Sequence, residues 1–235
     1  MIASQTFTTR DAWAEAAANA LAEALADALA AGGRALFAGS GGSTPSPIYA
    51  RLSEADLDWA GVMATLVDER YVPETSPASN AALLKRTLLT GRAAAARFTP
   101  LYSPAVTVDR AAAIASQALA AEGCPLDAVL LGMGEDGHIC SMFPGSPTLT
   151  TLLTPGLKPA VYGVPAGRDG AAPPQERLTL NLPWLVSARR RVLALTGADK
   201  RAVFEREAAG DPAVNPIAAL IAANAPLEVL WTEAE

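Results

Sequence analysis

The chain has a single histidine, His138, set in Leu130-Leu131-Gly132-Met133-Gly134-Glu135-Asp136-Gly137-His138-Ile139-Cys140. An apolar run that breaks into glycines predicts a buried parallel strand whose carboxyl end opens on a crevice, where open α/β sheets bind ligands. Histidine is the side chain best suited to move a proton near neutral pH. A lone histidine on an apolar face would be a satisfied core residue. Here the flanking Asp136 and the glycines favour a site instead, because glycine lets the backbone approach a ligand closely.

Two further segments carry chemistry. Gly39-Ser40-Gly41-Gly42-Ser43-Thr44-Pro45 follows a short apolar run and precedes a helix, so its unpaired N–H groups suit a phosphate, with hydroxyls from Ser43 and Thr44 beside them. A plain capped turn would need fewer glycines and hydroxyls. The Gly-Lys-Ser/Thr ending of a Walker loop is absent, which disfavours nucleoside triphosphate chemistry. In Val67-Asp68-Glu69-Arg70-Tyr71-Val72-Pro73 three charges stand directly after a buried strand, again where sheet ligands bind. Asp68 is a candidate to orient or hydrogen-bond, Arg70 to hold an anion or developing oxyanion, and Glu69 to pair with Arg70.

The elements needed to position these residues are legible as alternating helices and strands. Helices are expected at 11–31, 45–52, 80–89, 109–121, 200–209 and 216–223. Strands are expected at 34–38, taken as the first, and at 62–67, 126–131, 160–164, 177–180, 192–196 and 227–231. This alternation predicts an α/β fold with a mostly parallel sheet and helices on both faces, as one domain over 1–235. The glycine- and proline-bearing stretch 150–175 reads as a loop able to fold over a ligand.

Composition narrows the options. One histidine and two cysteines cannot build the usual zinc sites from nitrogen and sulfur ligands, so no metal or other cofactor is expected, although an oxygen-ligated ion stays open. Cys140 reads as a small packing residue, and so few cysteines fit a reducing cytoplasm. The net charge is −6, with no basic run beyond Arg189-Arg190-Arg191, which argues against a nucleic-acid partner. Residues 1–13 lack a charged-then-apolar leader, and Glu15, Glu23 and Asp27 interrupt the alanine-rich stretch, so neither a signal peptide nor a membrane span is expected. The segment from Gly132 to Gly137 formally matches the dinucleotide fingerprint. No Asp or Glu occurs between Asp136 and Asp169, however, so the acid expected about 20 positions on to hold a ribose is missing. Neither Ser40 nor Ser43 sits in a G-x-S-x-G elbow.

Taken in order, Ser40-Gly41-Gly42-Ser43-Thr44-Pro45, Asp68-Glu69-Arg70, Ser79-Asn80, Gly132 to His138, Arg177-Leu178-Thr179 and Gly197-Ala198-Asp199-Lys200 resemble the glucosamine-6-phosphate isomerase/6-phosphogluconolactonase family, on its lactonase side. The resemblance runs from Ser40 to Trp231 and is specific as a set. It implies the modified Rossmann-like fold of the glucosamine-6-phosphate deaminases and hydrolysis of a phosphorylated sugar lactone by a cytoplasmic monomer with a small-molecule substrate. In the deaminase pattern a glutamate partners the histidine, and this chain has Phe143 at that position.

The resemblance assigns His138 as the base that activates water, its tautomer fixed by Asp136 or a backbone carbonyl. Arg70, oriented by Asp68, would meet the C1 oxyanion or nearby hydroxyls. Gly41, Gly42, Ser43 and Thr44 would hold phosphate, with Lys200 and Arg177 completing the charge. A deaminase, or a non-catalytic sugar-phosphate sensor, is the alternative.

Overall fold

The computed structural model describes residues 2–105, 107–123, 125–167 and 174–234. In chain order the strands are β1 (Ile2–Phe7), β2 (Ala35–Gly39), β3 (Val62–Leu66), β4 (Asp68–Arg70), β5 (Arg97–Phe98), β6 (Ala128–Leu131), β7 (Val161–Val164), β8 (Arg177–Leu180), β9 (Arg190–Thr196) and β10 (Leu227–Thr232). The helices are α1 (Arg10–Gly32), α2 (Ser46–Leu52), α3 (Asn80–Thr87), α4 (Val108–Glu122), α5 (Leu149–Leu153), α6 (Leu182–Ser187), α7 (Ala198–Ala208) and α8 (Pro216–Ala222).

Seven strands form a parallel sheet in the order β1-β10-β9-β6-β2-β3-β5. Its central strands β2, β3 and β6 are buried along their whole length, as the short apolar runs predict. From β2 the chain first builds outward through β3 and β5, then returns to the other side through β6, β9 and β10. The order therefore reverses between β2 and β6, and loops leaving the carboxyl ends of those strands flank a crevice. Those are the loops that hold Ser40 to Thr44 and Gly132 to His138.

Local sequence explains the elements that deliver them. The side chains of Thr9, Ser79 and Thr107 cap α1, α3 and α4, each cap worth about 1 kcal/mol. Gly33 ends α1 in the left-handed conformation, as the Gly32-Gly33 pair predicts. Trp13 is fully buried and its indole N–H donates to the Leu230 carbonyl at 3.0 Å, fastening α1 over β10.

Several expectations are corrected. The strand at Ala35–Gly39 is the second, because β1 precedes it as an exposed edge strand whose sequence carries no apolar alternation. The charged segment after β3 is itself a strand. It belongs to a separate antiparallel sheet of order β4-β8-β7, so the parallel prediction holds for the larger sheet alone. Val67 joins the two sheets, its N–H donating to Gly39 and its carbonyl accepting from Leu180, both at 3.0 Å. Stretch 150–175 carries most of α5 and all of β7 in place of a continuous loop; its residues 168–173 lie outside the described residues. Arg190 and Arg191 lie within β9 instead of leading into it. Arg191 is buried, and its guanidinium donates to the carbonyls of Leu185, Val186, Ala188 and Pro226.

Candidate active site

The carboxyl ends of β2, β3, β6 and β9, neighbours in the sheet, meet at a cavity of about 260 Å³. Its walls include Gly41 to Thr44, Asp68, Arg70, Asn80, Gly134, His138, Arg177 and Lys200. Every residue given a catalytic or phosphate-binding role from the sequence therefore lines one space, except Asp136, which stands behind His138. Among the charged residues on that wall, three are cations and only Asp68 is an acid. Against a net charge of −6, that local excess of positive charge suits an anion.

His138 is held by its own loop. Its Nδ1 lies 2.5 Å from Asp136 Oδ1, its backbone N–H reaches the same oxygen at 3.3 Å, and its carbonyl accepts from Gly134 N–H at 2.9 Å. With Nδ1 engaged, Nε2 is the nitrogen left for a proton transfer. Burial alone would raise the Asp136 carboxyl, but the hydrogen bond and charge of His138 hold it below the usual carboxylate range. Two glycines are required here. A side chain at Gly134 would strike the imidazole, 2.3 Å from Nδ1, and Gly137 combines a φ of +86° with close contact to Glu207 on α7. Phe143 packs on the imidazole with ring centroids 4.4 Å apart, and the Arg177 guanidinium lies over its ring at 5.8 Å.

The charged strand end differs from expectation in two ways. Glu69 makes no ion pair with the Arg70 side chain. It is fully buried, and its carboxylate accepts from the N–H groups of Arg70, Asn80 and Ala81 and from the Ser79 hydroxyl, so it caps α3. Burial pushes its carboxyl up while those four donors pull it down, and burial prevails. Asp68 does not orient Arg70 either. One Asp68 oxygen accepts from Ser141 Oγ at 2.6 Å and stands 3.9 Å from Arg177 Nη1, whereas Arg70 Nη1 donates to the Ala78 carbonyl at 2.7 Å.

Arg70 and Arg177 are direct partners in the β4–β8 pairing. The Nε of each is buried without a hydrogen-bond partner, and burial together with Arg70 lowers the pKa of Arg177, opposed by Asp68. Two guanidiniums side by side concentrate positive charge on this wall, which suits an anionic or oxygen-rich ligand.

The glycine-rich loop is pinned beneath by Tyr49, whose hydroxyl donates to the Ser40 carbonyl at 2.6 Å. Gly42 takes a φ of +92° there, turning the chain toward α2. Helix α2 has only seven residues, so its dipole is a minor part of the field at this loop. Lys200 stands in the first turn of α7, half-buried and without a partner among the described residues. Cys140 is buried on the cavity wall, where burial and then the charge of Asp68 push its thiol well up, keeping it a neutral packing group. The fingerprint glycines after β6 lead into the histidine loop, not into a helix, and α5 is the next helical element.

The Ser141 anchor carries no signal in the sequence. Asn80 belongs to a recognisable motif, but sequence alone gives it no role.

The family profile described as glucosamine-6-phosphate isomerases/6-phosphogluconolactonase matches residues 8–231. The chain belongs to this family. It is 45% identical over 227 residues to a 6-phosphogluconolactonase of Rhizobium meliloti, spanning 96% of each chain. It is 40% identical over 230 residues to one of Caulobacter vibrioides, spanning 97% of each. Among solved structures, a 6-phosphogluconolactonase from Shewanella baltica superposes with a TM-score of 0.90 at 34% identity, covering 99% of this chain and 98% of that one. A monomeric glucosamine-6-phosphate deaminase gives a TM-score of 0.77 at 18% identity over 98% of this chain and 97% of that one, a likeness of fold alone. The modified Rossmann-like fold is thus common to both branches of the family.

Proposed function

We propose that the cavity hydrolyses 6-phospho-D-glucono-1,5-lactone to 6-phospho-D-gluconate, with His138 as the base that activates water. The observation that carries this reading is the joining, in one cavity, of an Asp-oriented histidine with a glycine-rich loop and three cations. Relatives sharing 40–45% of their residues with the chain bear the lactonase name.

Lactone hydrolysis needs a nucleophile, a stabilised tetrahedral oxyanion and a proton for the leaving ring oxygen. Neutral His138 takes a proton from water through Nε2 as the water oxygen bonds to C1. The C1 carbonyl oxygen gains the displaced electron pair, facing the donors of Arg70. Collapse of this adduct breaks the bond from C1 to the ring oxygen, and His138 returns its proton to that oxygen. Asp136 keeps the imidazole in the tautomer with its lone pair on Nε2 and stabilises the transient imidazolium. Phosphate occupies the loop from Gly41 to Thr44 with Lys200 over it. Arg177, tied to Asp68 and stacked on Phe143 beside the imidazole, extends the positive wall towards C1. No cofactor takes part.

The deaminase alternative needs a proton relay where Phe143 stands, and a hydrocarbon ring cannot supply one. Purified protein should therefore accelerate acid release from freshly made 6-phosphogluconolactone and release no ammonia from glucosamine 6-phosphate. Ammonia production, or lactone decay no faster than the spontaneous rate, would refute the lactonase reading. A sensor would leave the histidine and arginine chemistry without purpose.

The phosphate assignment has a separate test. Lys200→Ala removes a charge-assisted contact and should raise KM for the phosphorylated lactone about 10–100-fold, with a smaller rise for Ser43→Ala. Neither should alter KM for the unphosphorylated lactone. Equal effects on both substrates would remove phosphate from this loop.

A further inference from the structure

The dipeptide Ser79-Asn80 takes no part in the chemistry above, yet it physically joins two walls of the cavity. Asn80 is buried at the start of α3 and lines the cavity. Its backbone N–H donates to Glu69 Oε1 at 2.7 Å, and its side-chain Nδ2 donates to the Asp68 carbonyl at 3.0 Å. The rest of the amide lies against the glycine-rich loop. A Cβ placed on Gly41 would sit 2.0 Å from Asn80 Oδ1 and 2.2 Å from Cγ.

Gly41 is not among the glycines with positive φ, so the requirement for glycine there comes from Asn80 and not from the backbone. The amide cannot easily turn aside. Glu69 fixes the start of α3 through three donors, Ser79, Asn80 and Ala81, and the Asp68 carbonyl holds Nδ2.

We propose that Asn80 is a positioning residue that holds the glycine-rich loop in register with β4, so that phosphate and C1 of one substrate are bound at once. This rests on the phosphate reading given above. Asn80 acts on the loop through Gly41 and on the strand through the Asp68 backbone. The Asp68 side chain keeps its separate anchor on Ser141.

The test measures dissociation constants for 6-phosphogluconate and for gluconate by titration calorimetry, with lactone kinetics alongside. Asn80→Ala should weaken 6-phosphogluconate about tenfold, leave gluconate unchanged and keep kcat within about threefold. Gly41→Ala should weaken 6-phosphogluconate at least as much, because its new methyl group displaces the loop from an amide that stays in place. The double variant should bind like Asn80→Ala alone, since the collision is gone. Additive losses, or a single variant that binds as the wild type does, would overturn the proposal. Should Asn80→Ala fail to fold, Gly41→Ala removes no hydrogen-bonding side chain and decides the matter by its own affinity. A wild type that binds the two acids alike overturns the phosphate reading and this inference together, whereas additivity overturns only the inference.

Discussion

His138→Ala lowers kcat for the phosphorylated lactone by about 10²–10⁴-fold, the usual worth of a positioned general base, and leaves affinity for 6-phosphogluconate within a few-fold of wild type. The split comes from the geometry. His138 is held by Asp136 and Gly134, while the loop from Gly41 to Thr44 hangs on Tyr49 and β2, so removing the imidazole does not disturb the phosphate cradle. Substrate-saturation kinetics corrected for spontaneous hydrolysis supply kcat, and calorimetry supplies the affinity. Undiminished turnover would remove His138 from the reaction.

Asp136→Asn has the second-largest effect. An asparagine can present its amide N–H to Nδ1, which favours the tautomer with its proton on Nε2, the wrong one for taking a proton from water. It also withdraws the negative charge that supports the imidazolium. We expect kcat to fall about 10–10³-fold, less than in a fully buried Asp–His pair because the Asp136 side chain is 54% exposed. KM should change little. Asp136→Glu, which keeps the charge, should recover part of the loss. A loss confined to KM, or no recovery by glutamate, would mean that Asp136 shapes the loop without governing the proton.

The parts of this site that are legible in the sequence share one physical origin. Buried parallel strands are short apolar runs, and the residues just past each run must stand at the same edge of the sheet. Glycines, hydroxyls and charges after 35–39, 62–66, 128–131 and 190–196 can therefore be gathered into one site without knowledge of the strand pairing. The antiparallel sheet is hidden because β4 has three residues, all charged, and its partner β8 lies more than 100 positions away. Asp68 and Ser141 are 73 residues apart, and no local pattern connects a serine in the histidine loop to a carboxylate on β4. Glu69 misleads for a related reason. Adjacent opposite charges suggest an ion pair, whereas burial of the carboxylate beside an open helix start makes backbone N–H groups its better partners. β1 escapes a sequence reading because an exposed edge strand needs no apolar face.

The central claim is that one substrate spans the cavity with its phosphate on the glycine-rich loop and its C1 at His138. A crystal structure with 6-phosphogluconate tests it most directly. The phosphate should accept from the backbone of Gly41 to Thr44 and from Lys200, and the C1 carboxylate should lie within hydrogen-bond reach of His138 Nε2. A phosphate seated on Arg70 and Arg177, with C1 away from the imidazole, would contradict it.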